Sequence, residues 1–284
     1  MNPCLPRLPI LSSYLMAHAR CATLGKEFTM QRQEFVQQLW LDYVHTHPDI
    51  GALRLWPLST AAEYLTLVTL NYGPFAAAAL TGNLAHMGYR VMGHYAMADK
   101  GLLVQLLAPS DGSSWLVLAE LQIGTLSKAP REAIEGLVQQ SHPQDCKGHN
   151  LLCRGRPWPM PSWALYQQLQ QAHPLAAWIA VMGPRLHHAG FDCGQLGEPL
   201  KTLDQRLSEV GMPSLEGQQN GVFTVSSLLD HRFYPTTPQK TVFANGDEHR
   251  LCLGGLALAQ KHVEDNHERI ADLLLPHHTR CEMA

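Results

Sequence analysis

Apolar positions along the chain recur with two periods, and the switches between those periods mark out the elements. Between Met30 and His47, Phe35, Val36, Leu39, Trp40, Tyr43 and Val44 fall on one face of a 3.6-residue period, which predicts a helix stopped by Pro48. Tyr64 to Leu70 sets Thr, Val and Leu at strand density. After the turn Asn71-Tyr72-Gly73-Pro74, the alanine-rich run from Phe75 to Met87 predicts a helix closed by Gly88. Strands are expected from Arg90 to Met97, from Leu102 to Leu107 and from Ser114 to Ile123, with Asp99-Lys100-Gly101 and Ser110-Asp111-Gly112 as turns. The product is a βαβββ unit.

A connector follows, with helices expected from Lys128 to Gln140, Ser162 to Gln171 and Leu175 to Met182. An irregular stretch punctuated by proline and glycine, Ser141 to Pro161, interrupts it. The earlier pattern then returns. Arg185 to Phe191 reads as a strand and Glu198 to Val210 as a helix ended by Gly211; further strands are expected at Val222 to Leu228, Thr241 to Ala244 and His249 to Leu253. Tyr64 precedes Gly88 by 24 positions and His188 precedes Gly211 by 23, and both helix ends have the form L-x-x-x-G-apolar. Element order, spacing and cap together predict an internal repeat. The organisation expected is a disordered leader over residues 1–29 and a single domain over 30–284. Within the domain, 30–127 holds the opening helix and first module, 128–182 the connector, 183–262 the second module and 263–284 a tail.

Composition narrows the partners more than the chemistry. A net charge of −3 and a pI near 6.6 give no basis for nucleic acid or an anionic membrane as partner. The seven cysteines are scattered without a CxxC pair, so a zinc ribbon and a dithiol redox motif are not supported, and reduced thiols in the cytoplasm are expected. No apolar run reaches the ~20 residues of a membrane-spanning helix. Ala17-His18-Ala19 has the form of a signal cleavage site, but the run before it is broken by Pro9 and two serines.

Candidate chemistry centres on His187-His188. Neighbours on a regular strand point to opposite faces, so one of the two can enter a given pocket; His188 is read as facing inward and His187 outward. If the first strands of the two modules face each other, His188 meets Tyr64. Rigid strands carrying a few N and O ligands, with positions left open for substrate, suit a divalent metal, and two histidines with one carboxylate are the usual iron(II) set.

Two βαβββ modules side by side resemble the α+β fold of the vicinal oxygen chelate superfamily, one curved, cup-like sheet. Within it the chain resembles the short form of the 2-oxoadipate dioxygenase/decarboxylase family, from Met30 to about His262. The resemblance is carried by the order and spacing of Leu39-Trp40-Leu41-Asp42-Tyr43, Met87-Gly88-Tyr89, Gly93-His94-Tyr95, Ala119-Glu120-Leu121, Arg156-Pro157-Trp158-Pro159, Ala176-Ala177-Trp178 and the His188 strand. It implies Fe(2+) held by two histidines and a glutamate, and conversion of 2-oxoadipate with O₂ to 2-hydroxyglutarate and CO₂. Position by position, one family histidine falls on His188. The other falls on Tyr64, the glutamate on Ala257, and the arginine that grips the substrate carboxylate on Val68.

Glu120 is a candidate replacement ligand, set against a plain role as hydrogen-bond acceptor for its neighbours. Arg154 and Arg156 are candidates for a carboxylate clamp, set against ordinary surface arginines. His86 and His94 read as solvated. The expected partner is a small 2-oxo acid or dicarboxylate. Three functions stay open: an iron enzyme with a degraded or rebuilt site, a silent relative that binds a small carboxylate or a protein, and another metal-dependent lyase or isomerase.

Overall fold

A computed structural model describes residues 32–52, 60–148, 150–212, 222–263 and 271–278; the expected leader, 1–29, and most of the expected tail lie outside them. The opening periodic run forms α1 (Arg32–Thr46), which buries Phe35, Leu39 and Tyr43. Pro48 stops α1 and then opens a second short helix, α2 (Pro48–Ala52), since proline fits a first helical turn. The first module is β1 (Tyr64–Leu70), α3 (Ala77–His86), β2 (Arg90–Met97), β3 (Leu102–Ala108) and β4 (Trp115–Leu121). The connector supplies α4 (Lys128–Gln139), α5 (Trp163–Ala172) and α6 (Pro174–Met182). The rest comprises β5 (Arg185–Asp192), α7 (Cys193–Leu196), α8 (Leu200–Glu209), β6 (Phe223–Ser226), β7 (Leu229–Pro235), β8 (Gln239–Val242), β9 (Glu248–Leu251) and β10 (Gly255–Lys261).

Eight strands form one strongly curved half-barrel sheet, in the order β2-β3-β4-β1-β5-β10-β7-β6. β1 runs parallel to β4, β5 runs parallel to β10, and the halves join along the antiparallel pair β1–β5. The predicted repeat is therefore a repeat of topology. It extends to single hydrogen bonds. Setting Tyr64 on His188 sets Trp115, which pairs with Tyr64, on Gly255, which pairs with His188; five residues on, Glu120 falls on Gln260. Glu120 Oε1 accepts from the Ala77 N–H at the start of α3 at 2.7 Å, and Gln260 Oε1 accepts from the Leu200 N–H at the start of α8 at 2.7 Å. Each satisfies one of the amide groups that a helix start leaves without an internal partner.

The second half departs from expectation in its strands. The candidates around Thr241–Ala244 and His249–Leu253 form the β8–β9 hairpin, a separate two-stranded sheet, while β7 and β10 take the places in the main sheet. Asp230, His231 and Arg232 interrupt the apolar rhythm of β7. β10 is buried from Gly255 to Ala259, so its Gly-Leu-Ala-Leu-Ala run has no alternation to read.

Those two acceptors place α3 and α8 on one face of the sheet. The opposite, inner face follows from the register: Tyr64, Thr66 and Val68 on β1, His188 and Gly190 on β5, Ala257 on β10, and His231 and Phe233 on β7. Among the described residues no helix is long and apolar enough to cross a membrane.

Candidate functional site

On the inner face, Tyr64 pairs with Gly190, Gly190 with Ala257, and Ala257 with Phe233, a straight line across four strands. The next line of the same face runs Thr66, His188, Gly255, Pro235. The three positions that the family resemblance assigns to metal ligands, Tyr64, His188 and Ala257, thus lie together in two neighbouring lines. All three are fully buried.

Two glycines let aromatic rings lie flat on this face. A Cβ at Gly190 would sit 2.0 Å from Cε1 of Tyr64, and one at Gly255 would sit 2.0 Å from Cζ of Phe233. Tyr64 therefore lies over β5 instead of standing up from β1, and its hydroxyl reaches Nε2 of His231 on β7 at 3.2 Å. The His188 ring meets Tyr64 edge-on at 6.0 Å and Phe233 at 5.4 Å between centroids. His231 escaped the sequence reading because β7 did. The signal available was its place two residues before Phe233 on a strand, which gives both one face.

His187 corrects an expectation. The β1–β5 ladder shifts register between Thr66 and Leu67, so that His188 pairs with Thr66 while Leu186 pairs with Leu67, leaving His187 as the extra residue of a bulge. The alternation rule assumes a regular strand and fails at a bulge. Instead of facing outward, His187 is buried, its Nδ1 lies 2.8 Å from Nδ1 of His188, and its ring packs against Trp178 at 4.9 Å.

Glu120 does not join His188. It pairs with Thr69, on the face that carries α3, and its carboxylate accepts from Ala77 N and from Gln122 Nε2 at 2.6 Å. Of the two readings offered for it, acceptor for its neighbours is the one the geometry gives. Val68 is fully buried on the inner face and offers nothing to a carboxylate. Arg156 lies elsewhere, on a cavity at the start of β5. His86 and His94 are exposed.

This donor set does not fit the iron(II) site that the resemblance implies. His188 alone is of ligand type, Tyr64 is bonded to His231, and Ala257 has no donor atom. Among the described residues, no group of three or more His, Cys, Asp or Glu is disposed to hold a metal ion. What this region does present is two buried pairs within hydrogen-bond distance, Tyr64 with His231 and His187 with His188.

The curved sheet built from two βαβββ modules is a fold shared with a glyoxalase superfamily protein of known structure. No family model and no curated protein sequence matches the chain. Solved structures do. A protein of Shewanella frigidimarina is 22% identical over 84% of this chain and 95% of its own, with a TM-score of 0.75. The hydroxyglutarate synthase of Oryza sativa, solved in complex with 2-oxoadipate, is 16% identical over 94% of this chain and 89% of its own, with a TM-score of 0.71. A glyoxalase superfamily protein of Ralstonia eutropha is 19% identical over 81% and 83%, with a TM-score of 0.63. At such identities the likeness establishes the fold.

Proposed function

We propose that the chain is a divergent relative of the 2-oxoadipate dioxygenase/decarboxylases that binds a small oxo acid or dicarboxylate without iron-dependent turnover. The observation that carries this reading is the line Tyr64–Gly190–Ala257. A phenol laid over a glycine and bonded to His231 stands where the family resemblance requires a histidine, and a methyl group stands where it requires a carboxylate. Val68 likewise replaces the arginine of the substrate clamp. The ligand class is supported by the fold shared with a synthase solved with 2-oxoadipate bound. The reading takes residues 30–284 as one domain, since one sheet unites both modules. It also keeps a cytoplasmic location, supported by the described cysteines Cys146, Cys153, Cys193 and Cys252 being free thiols.

The test is oxygen uptake with 2-oxoadipate and added iron(II), recorded for the parent and for His188→Ala. The expected result is uptake no faster than iron and substrate alone in both proteins. Substrate-dependent uptake in the parent that disappears in His188→Ala would overturn the proposal.

A further inference from the structure

A second feature of the molecule lies away from the inner face. At the start of β5 a cavity of about 480 Å³ is bounded by His47 after α1, Arg154 and Arg156 from the connector, Arg185 on β5 and Lys240 on β8. That volume is in the range of small-molecule sites. None of its lining residues is acidic. Arg185 pairs with Asp42, and Lys240 pairs with Glu248 at 2.7 Å. The other two guanidinium groups hydrogen-bond to main-chain carbonyls, Arg154 to Gln144 and Arg156 to Trp158 and Val181. Among the described residues no carboxylate offsets either charge. Burial, with Arg185 nearby, lowers the pKa of Arg156, which marks a place where positive charge is under-compensated.

The second observation is His47. It is 1% exposed, it lines this cavity, and neither ring nitrogen has a hydrogen-bond partner among the described residues. Buried polar groups are ordinarily satisfied, so this one calls for an acceptor from outside the chain. We infer that this cavity is the binding site for a small dicarboxylate, with Arg154 and Arg156 gripping one carboxylate, Arg185 and Lys240 facing the other, and the His47 ring turning from its buried position to supply a further donor. Guanidinium forks match planar carboxylates, and four cationic side chains around one cavity match a ligand acidic at both ends. The inference rests on the reading that the chain holds a small oxo acid or dicarboxylate, and places that ligand in this cavity, away from the inner face.

Calorimetric titration of the full chain with glutarate and with 2-oxoadipate tests it, with inorganic phosphate as competitor. Arg154→Gln changes an exposed residue and Arg156→Lys keeps the charge while removing the fork; Tyr64→Phe is the control on the inner face. The expected result is one site, weakened about tenfold or more by each arginine change, as for loss of a charge-assisted hydrogen bond. Tyr64→Phe should leave it unchanged, and phosphate should displace the dicarboxylate only when in large excess. Binding that Tyr64→Phe weakens while both arginine variants keep it would overturn the cavity as the site and leave the proposed function standing. Phosphate binding as tightly as glutarate would overturn the dicarboxylate assignment. If the folded parent shows no saturable binding of either acid, both readings fall.

Discussion

Burial holds His47 neutral: desolvation lowers its pKa from 6.5 to about 4 in the folded protein. Above pH 6.5 the imidazole is neutral whether the chain is folded or not, and the fold keeps its full stability. As pH falls from 6.5 to about 4 the unfolded chain takes up the proton and the folded one does not, so stability is lost over that window, by about 3 kcal/mol from this group. Urea unfolding at pH 7 and pH 4.5 for the parent and for His47→Gln isolates the effect as the difference between the two losses; equal losses would contradict it. Gly190 yields a second prediction at this scale. Gly190→Ala must displace the buried Tyr64 ring, an overpacking of about 1–3 kcal/mol or more. Combining it with Tyr64→Ala in a double-mutant cycle should give less than the sum of the single losses. Neither His47 nor Gly190 stood out in the sequence as special, because a histidine without a partner and a glycine beneath a ring are defined by their surroundings. The paired histidines did stand out, and strand alternation misjudged one of them. The bulge that turns His187 inward is created by pairing with β1, which no pattern within β5 records.

Glu120 and Gln260 do the same work at the two helix starts, which makes them a comparison at the scale of elements. Because the second module uses an amide there, Glu120→Gln should keep the bond from Ala77 through its amide oxygen and lose only about 1 kcal/mol, since its amide nitrogen cannot accept from Gln122. Glu120→Ala leaves that buried N–H without its acceptor and should lose about 1–3 kcal/mol. Thermal unfolding of the two variants checks both figures; a severe loss in Glu120→Gln would mean that the charge itself matters. The first module was legible almost element by element, since Gly and Pro punctuate it and its helix is alanine-rich. Counting from Tyr64 and His188 to the closing glycines was enough to find the second. What could not be read was which segments of the second module complete the sheet. A β10 buried from Gly255 to Ala259 lacks alternation, a β7 charged at its centre disguises it, and the β8–β9 hairpin imitates both.

At the scale of the molecule, the halves meet along β1–β5, and the junction places Tyr64 and His188 at the centre of the inner face. An ion network largely withdrawn from solvent lies at the end of β10. Lys261 on β10 donates to Glu63 at 2.5 Å and to Asp272 at 2.6 Å, fastening the 271–278 segment to the sheet. Burial opposes the charge on Lys261, but the two carboxylates outweigh it and raise its pKa, whereas burial raises that of Glu63. The face was legible as a place and, through the resemblance, as two altered ligand positions and an altered clamp position; that His231 takes hold of the Tyr64 hydroxyl was not. Those alterations define a reversal. The triple variant Tyr64→His, Val68→Arg, Ala257→Glu restores two ligands and the clamp, and clears the ring from over Gly190. Its new buried charges lack partners, so the empty variant should be several kcal/mol less stable than the parent and should regain stability when iron(II) is added. The most direct measurement is an anaerobic equilibrium titration of parent and triple variant with iron(II). The expected result is one tightly bound equivalent in the triple variant and no saturable site in the parent. One tight equivalent in the parent, lost in His188→Ala, would contradict it.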